Sequence, residues 1–252
     1  FSPITSAADK AEADQGSIEI TNGFVDIVSG QPTIKTRPGL REVHATRSGT
    51  RTSLYWWEAK RMLIIATGDR IYAKPSKKGA LVDITPDNSE DRFSAGVRVF
   101  FSADEYGVTM SIGLFMLWWD GNLTHKAQRI NDNSAPFAIT SLTYLKGYTI
   151  ASILNTQLFA YAVYGPTDPR TSPPPWSPLY QSASASPDDI LCLAAGWEEL
   201  FVLGRESAQS HYASGDSIVP FPPLNGSVVE TGVMNSEVLQ KLGNSWLFYT
   251  PH

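Results

Sequence analysis

The chain has 252 residues, of which 42% are hydrophobic and 11% aromatic, and it carries a formal net charge of −5. This size and composition allow a sizeable buried core. The acidic balance argues against a dedicated nucleic-acid-binding protein, which presents a basic face. A single cysteine, Cys192, excludes an internal disulfide. The longest apolar run, residues 114–119, is too short to cross a bilayer, so we expect no direct membrane insertion.

The N-terminal segment is polar and contains one clear turn signal. Residues 1–17 are mostly small or polar and read as an extended arm. Two short apolar runs, residues 18–20 and 24–28, flank residues 21–23, whose sequence Thr-Asn-Gly is a strong β-hairpin signal. We therefore predict an N-terminal arm and a lead-in hairpin over residues 1–39.

The rest of the chain repeats one pattern, in which an apolar, strand-like run ends at a tight-turn signal. The five turn positions are Gly68, Gly121, Asn155, Gly204 and Thr250, and they lie 34 to 53 residues apart. Recurrence at about 40–50 residues with a hairpin in each unit is typical of propeller blades. We predict an all-β fold, with the blades of a β-propeller over residues 40–252. Because the chain stops at His252 where another turn should begin, we expect it to cover only part of a propeller.

One segment interrupts this rhythm. Residues 165–189 contain seven prolines, so they are incompatible with a central strand and favour a long inter-strand excursion in polyproline conformation. Trp176 lies inside this segment, and its ring either folds back on the scaffold or docks on a partner. We expect the excursion to project from the propeller and to contact a neighbouring protein, with Trp176 as the apolar anchor.

The sequence lacks the motifs that carry common chemistry. It has no Gly-rich phosphate loop, G-x-S-x-G, CxxC or HExxH, and its four histidines have no ligand spacing, so we expect no catalytic residue, cofactor or metal. Residues 102–107 loosely resemble the Asp-box turn of sialidase-type propellers. A propeller glycosidase would need an arginine cluster and a carboxylate pair at the channel mouth. The arginines available for that alternative are Arg37, Arg61, Arg98 and Arg205.

Several dispersed motifs follow one order along the chain. They are Gly196-Trp197, Leu200-Phe201-Val202-Leu203-Gly204, Ser207, Tyr212, Gly215, Pro220-Phe221, Gly226-Ser227-Val228-Val229-Glu230-Thr231-Gly232, Ser236-Glu237-Val238 and Asn244-Ser245-Trp246-Leu247-Phe248. In this order they resemble a blade of the tail hub, or nozzle, proteins of short-tailed bacteriophages, which include the packaged-DNA stabilisation proteins. Upstream, residues 22–40, with the turn at Pro38-Gly39, resemble the lead-in segment of that family, and residues 55–74 resemble its first hairpin.

The resemblance implies a structural protein of the virion tail, made in the bacterial host cytoplasm. Six copies would form a ring below the portal and adaptor proteins, with tail fibres or a tail tip attached below. The ring would enclose packaged DNA without specific binding, retain it, and pass it on during ejection. The interface residues that we name from the sequence are Arg37, Pro38, Gly39 and Trp176. The alternatives are the sialidase-like glycosidase and a cellular propeller that acts as an interaction platform.

Overall fold

The structure is a computed structural model, and it separates into two compact units, Phe1–Ala45 and Thr46–His252. The predicted boundary after residue 39 lies outside the described residues. Backbone and side chains are described for residues 51–75, 79–183, 188–237, 239, 246 and 249–250. The backbone alone is described for the strands at residues 4–5, 17–18, 23–28, 31–36, 240–242, 245 and 247.

The N-terminal unit contains two short antiparallel pairs. Strand β1 (Ile4–Thr5) pairs with β2 (Ser17–Ile18), and β3 (Gly23–Val28) pairs with β4 (Gln31–Thr36). The predicted turn at residues 21–22 lies outside the described residues. The hairpin that the structure describes in this part of the chain pairs six residues of β3 with six of β4.

The second unit begins with three four-stranded antiparallel sheets, which we number blades 1 to 3. Blade 1 consists of β5 (Thr52–Trp57), β6 (Met62–Thr67), β7 (Arg70–Lys74) and β8 (Val82–Asp83). Blade 2 consists of β9 (Phe100–Ala103), β10 (Val108–Ser111), β11 (Met116–Trp119) and β12 (Gln128–Arg129). Blade 3 consists of β13 (Ile139–Leu145), β14 (Tyr148–Ile153), β15 (Leu158–Val163) and β16 (Gln181–Ser182). A single 3₁₀ turn, Ser89–Asp91, lies between blades 1 and 2 in the described part of the chain.

Two further sheets follow. Blade 4 consists of β17 (Ile190–Ala195), β18 (Glu199–Gly204) and β19 (Ala208–Tyr212), and single bridges from β19 to Val229 and Pro223 occupy the fourth strand position. The fifth sheet pairs β20 (Gln240–Leu242) with β21 (Ser245–Leu247).

The first strands of blades 1 to 4 lie next to one another. Strand β5 contacts β9, β9 contacts β13, and β13 contacts β17, so the sheets are arranged around a common axis with their first strands innermost. This confirms the predicted all-β fold and the propeller architecture.

The core fills the spaces between successive blades. Ile64 of blade 1 and Leu117 of blade 2 are fully buried in one cluster, and Phe159 of blade 3 and Leu200 of blade 4 are fully buried in another. Sheets covered on both faces explain the near-continuous apolar runs of the sequence, since strands in such sheets need no polar face.

The predicted turns are only partly as expected. Gly68 (φ 63°) joins β6 to β7, and Asn155 (φ 55°) joins β14 to β15, as the requirement of short hairpin loops for positive φ predicts. Gly121 instead begins a longer loop, residues 120–127, that precedes β12. This loop is stabilised by Trp119 Nε1, which donates to the backbone oxygens of Asn122 (3.2 Å) and His125 (3.1 Å).

Candidate interaction surfaces

The Pro-rich segment folds back along the outer edge of blade 3. Within its described part, residues 165–183, Ser177 N donates to the backbone oxygen of Tyr161 (2.9 Å). Val163 N in turn donates to that of Pro175 (3.3 Å). The segment then supplies β16, the outer strand of the blade. The prediction that it projects from the propeller is corrected for these residues, because their backbone groups pair with β15.

Trp176 is a core residue, and this corrects its assignment as an exposed anchor. Its side chain is 4% exposed and lies in a cluster formed by Trp118 of blade 2 and by Leu142 and Ala162 of blade 3, among others. The Trp176 backbone N donates to Asp132 Oδ2 (2.8 Å), in the loop between these blades. The ring therefore fills the space between two blades and is unavailable to a partner.

A cation–π cluster holds the start of the same segment against blade 2. The guanidinium of Arg170 lies 4.4 Å from the ring centroid of Tyr164 and 5.3 Å from that of Tyr106. The Tyr164 hydroxyl donates to the backbone oxygen of Ser172 (2.7 Å), and burial raises the pKa of Tyr164 well above its ordinary value. Both tyrosines are therefore neutral, and the guanidinium of Arg170 interacts with the faces of their rings.

The turn that resembles an Asp-box is a self-contained β-turn. Asp104 Oδ1 accepts hydrogen bonds from the backbone N of Tyr106 and Gly107, both at 2.7 Å. The Asp104 backbone oxygen accepts a hydrogen bond from Trp57 Nε1 (2.6 Å) of blade 1. The carboxylate is occupied by its own turn, so this motif has a structural role.

A rigid loop presents two exposed apolar side chains beside blade 4. Asp216 Oδ1 accepts hydrogen bonds from the backbone N of Ile218 (2.7 Å) and Val219 (2.9 Å), and Ser214 Oγ donates to the Val219 oxygen (2.9 Å). The N–H donors of Val219 and Ile218 lower the pKa of Asp216. Ile218 is 64% exposed although its backbone is fixed. Prolines and small polar residues in this loop gave no sequence signal for such a surface.

The turn between β17 and β18 exposes another large apolar side chain of blade 4. Trp197 is 88% exposed. The next residue, Glu198, accepts a hydrogen bond from Lys146 Nζ (2.7 Å), which links this turn to blade 3. In the sequence, Gly196-Trp197 appeared only as part of a family resemblance. An exposed tryptophan on a fixed turn is typical of a contact surface.

An apolar cavity of about 830 Å³ lies beside Trp197, between blade 4 and residues of the fifth sheet. Phe201 and Leu203 of β18 form one wall, and Trp246 and Leu239 form another. Glu198 and Glu199 also line the cavity.

Charged groups meet near the axis at the end where the first strands begin. Glu237 Oε1 lies 2.9 Å from Arg51 Nη1, and its Oε2 lies 3.4 Å from Arg98 Nη1. Arg51 precedes β5 and Arg98 precedes β9, whereas Glu237 precedes β20. We call these three residues the axial clasp.

The arginines that a glycosidase would need do not converge. Arg61 lies in the β5–β6 turn, at the opposite end of β5 from the axial clasp, and Arg205 lies in the β18–β19 turn, farther from the axis. Arg98 is paired with Glu237 in the clasp. Arg37 lies outside the described residues, as do the other predicted interface residues of the lead-in segment, Pro38 and Gly39.

Histidine and cysteine side chains are structural where they are described. Burial lowers the pKa of His211, whose Nδ1 lies 2.9 Å from the backbone oxygen of Phe221. His125 pairs with Asp120 (2.7 Å) on the surface. Burial raises the pKa of Cys192 to about 11, so its thiol is protonated and unreactive at neutral pH.

The described residues contain no group of three or more histidine, cysteine or acidic side chains placed to hold a metal ion. In the same part of the chain no helix has the length and apolar character needed to cross a membrane.

A family model described as the β-propeller of bacteriophage P22 Gp10 matches residues 22–251. The chain belongs to this phage family. The match covers the lead-in segment, blades 1 to 4 and the fifth sheet. It confirms the family resemblance that the sequence motifs indicated. No curated protein gives a significant match to the chain.

Solved structures with similar folds are propellers and complexes of varied kinds. A chain of the mitotic checkpoint complex matches with a TM-score of 0.50 and 11% identity over 82% of this chain and 64% of that chain. Hsv2p from Kluyveromyces lactis matches with a TM-score of 0.44 and 9% identity over 77% and 55%, respectively. The Cps50 (Swd1) propeller domain from Myceliophteria thermophila matches with a TM-score of 0.46 and 10% identity over 79% and 63%. The chain thus spans less than two thirds of each, and the first likeness supports the fold alone.

Proposed function

We propose that this protein is a hub or nozzle of a short phage tail. In this proposal six copies form a ring below the portal and adaptor, which closes the portal channel, retains packaged DNA and passes it during ejection. The observation that carries the proposal is the family match over residues 22–251. Fibres or a tail tip attach below the ring, and the protein acts by assembly and not by catalysis.

The charge and the surfaces of the chain support this role. A net charge of −5 leaves few groups that could neutralise phosphates, so a wall made of this protein lets DNA pass without strong attachment. The exposed Trp197 and Ile218 provide fixed contact points for neighbouring proteins. The glycosidase alternative gains no support from Arg61, Arg98 and Arg205, which lie at separate turns.

Imaging of the virion tests the proposed assembly directly. A reconstruction of the tail is expected to show this protein as a closed six-fold ring on the tail axis, below the adaptor. A closed ring requires a heterologous interface between neighbouring subunits, and the rotation that relates them must add up to a full turn around the ring. Density for a monomer or a trimer away from the axis would contradict the proposal.

The predicted interface in the lead-in segment has a matched control. Arg37→Ala is expected to weaken ring assembly by about tenfold, as truncation of an interface arginine does. Arg61→Ala, which changes an exposed arginine in the β5–β6 turn, is expected to leave assembly unchanged. Assembly with the adaptor is measured by sedimentation. Equal behaviour of the two variants would remove Arg37 from the interface.

A measurement of DNA binding distinguishes a protein that only encloses DNA from one that attaches to it. In a gel-shift titration at low salt, the purified protein is expected to bind duplex DNA more weakly than about micromolar, because its basic residues are scattered along the sequence and its net charge is −5. Tighter binding that falls steeply with added salt would show a basic surface assembled by folding, and it would contradict passive enclosure.

A further inference from the structure

The axial clasp joins parts of the propeller that are far apart in the sequence. Arg51 precedes the first blade, Arg98 precedes the second, and Glu237 follows the fourth. Within the described residues, Glu237 therefore ties the turn before the fifth sheet to the segments that lead into the first two blades.

The clasp is ionic and partly open to solvent. The side chains of Arg51, Arg98 and Glu237 are 47%, 31% and 39% exposed. Ion pairs of this exposure are weak and are screened by salt. The junctions between blades 1 to 4, in contrast, are closed by buried apolar clusters. The axial clasp is thus weaker than the apolar junctions between blades 1 to 4.

Residues 233–237, the segment that contains Glu237 of the axial clasp, lie against the thiol of Cys192. The Sγ atom of Cys192 is 4.0 Å from the backbone oxygen of Ser236, next to Glu237, and Val233 packs in the same cluster. Cys192 is 3% exposed. Movement of this segment away from the axis would expose a thiol that is otherwise unreachable.

We propose that the axial clasp is a salt-sensitive latch that holds residues 234–237 against the segments leading into blades 1 and 2. When the clasp opens, residues 234–237 move away from the axis and uncover Cys192, while blades 1 to 4 stay assembled. This latch is independent of the proposed tail function, since it rests on contacts within one chain.

Alkylation of Cys192 by iodoacetamide, an uncharged reagent, measures the opening. The labelling rate follows the fraction of molecules that are open. Glu237→Gln is expected to raise the rate about fivefold in low salt, the effect of losing two exposed ion pairs. Arg51→Gln is expected to give a smaller increase, because Arg98 still holds Glu237. The double variant, which carries Glu237→Gln and Arg51→Gln, should label no faster than Glu237→Gln alone, because Glu237→Gln already removes both ion pairs. The two effects should therefore be less than additive.

The matched control is Glu198→Gln, which breaks the exposed pair with Lys146 between blades 3 and 4. It is expected to leave the labelling rate within about twofold of the unchanged protein. Salt at 1 M is expected to raise the rate of the unchanged protein toward that of Glu237→Gln, with little effect on the variant.

Two outcomes would overturn the latch. One is labelling of Glu237→Gln at the same rate as Glu198→Gln. The other is an increase in labelling that is matched by an equal increase in the global unfolding rate in urea, because the thiol would then be exposed by unfolding of the whole unit.

Discussion

Two tryptophans on connecting segments of the same propeller have opposite environments. Trp176, in the Pro-rich segment, is 4% exposed and fills the space between blades 2 and 3. Trp197, in a short turn of blade 4, is 88% exposed. The difference arises from the backbone around each ring. The residues beside Trp176 pair with β15, which turns the ring inward, whereas Trp197 lies in the β17–β18 turn, where its ring borders the cavity and remains open to solvent.

The comparison shows that the composition of a loop does not decide whether its aromatic residue is a contact or a core residue. Proline-rich sequence indicates an extended path, and an extended path along a sheet edge is able to act as a strand. The ring then follows the orientation that the pairing imposes.

The largest expected effect is that of Trp176→Ala. Removal of a buried tryptophan leaves a cavity between two blades, so the free energy of unfolding should fall by about 3–5 kcal/mol. For a unit of this size the melting temperature should fall by roughly 10 °C. Trp176→Phe should cost less, since it keeps an aromatic ring and removes an Nε1 that has no acceptor among the described residues. A melting temperature unchanged in Trp176→Ala would place the ring outside the core.

The next effect concerns the hydrogen bond that fixes this tryptophan. Asp132→Ala removes the acceptor for the backbone N of Trp176 and for that of Ser134, both at 2.8 Å. We expect a loss of about 1–3 kcal/mol in urea unfolding, since a partly buried donor loses its partner. Asp132→Asn keeps one carbonyl oxygen and should lose less. Equal losses in the two variants would show that the carboxyl position does not orient Trp176.

His211 is a buried ring that can take up a proton, and its burial should make the stability of the protein depend on pH. Burial lowers the pKa of His211 in the folded state below 6.5, its ordinary value, so the unfolded chain binds the proton more readily. His211 should therefore reduce stability progressively as the pH falls below about 6.5. His211→Gln should flatten this dependence of the melting temperature. An unchanged slope in His211→Gln would assign the pH dependence to other groups.

The smallest effect is that of Trp197→Ala on stability. An exposed side chain with few contacts contributes within about 0.5 kcal/mol, so the melting temperature should stay the same. The same variant should weaken assembly of the tail, because a fixed, exposed tryptophan is typical of interface anchors. A large fall in melting temperature would mean that the Trp197 ring is covered within the chain.

The sequence alone determined the class of fold. Recurrent apolar runs and turn signals predicted the blades, because strands covered on both faces need continuous apolar residues and short hairpins need residues that tolerate positive φ. The turns at Gly68 and Asn155 follow this rule. The order of motifs over residues 196–248 also indicated the family that the match over residues 22–251 confirms.

Only the tertiary structure decided which residues form surfaces. Pairing between distant segments buried Trp176 and brought Arg51, Arg98 and Glu237 together. These outcomes depend on contacts between residues tens to hundreds of positions apart, and local sequence patterns carry no record of them.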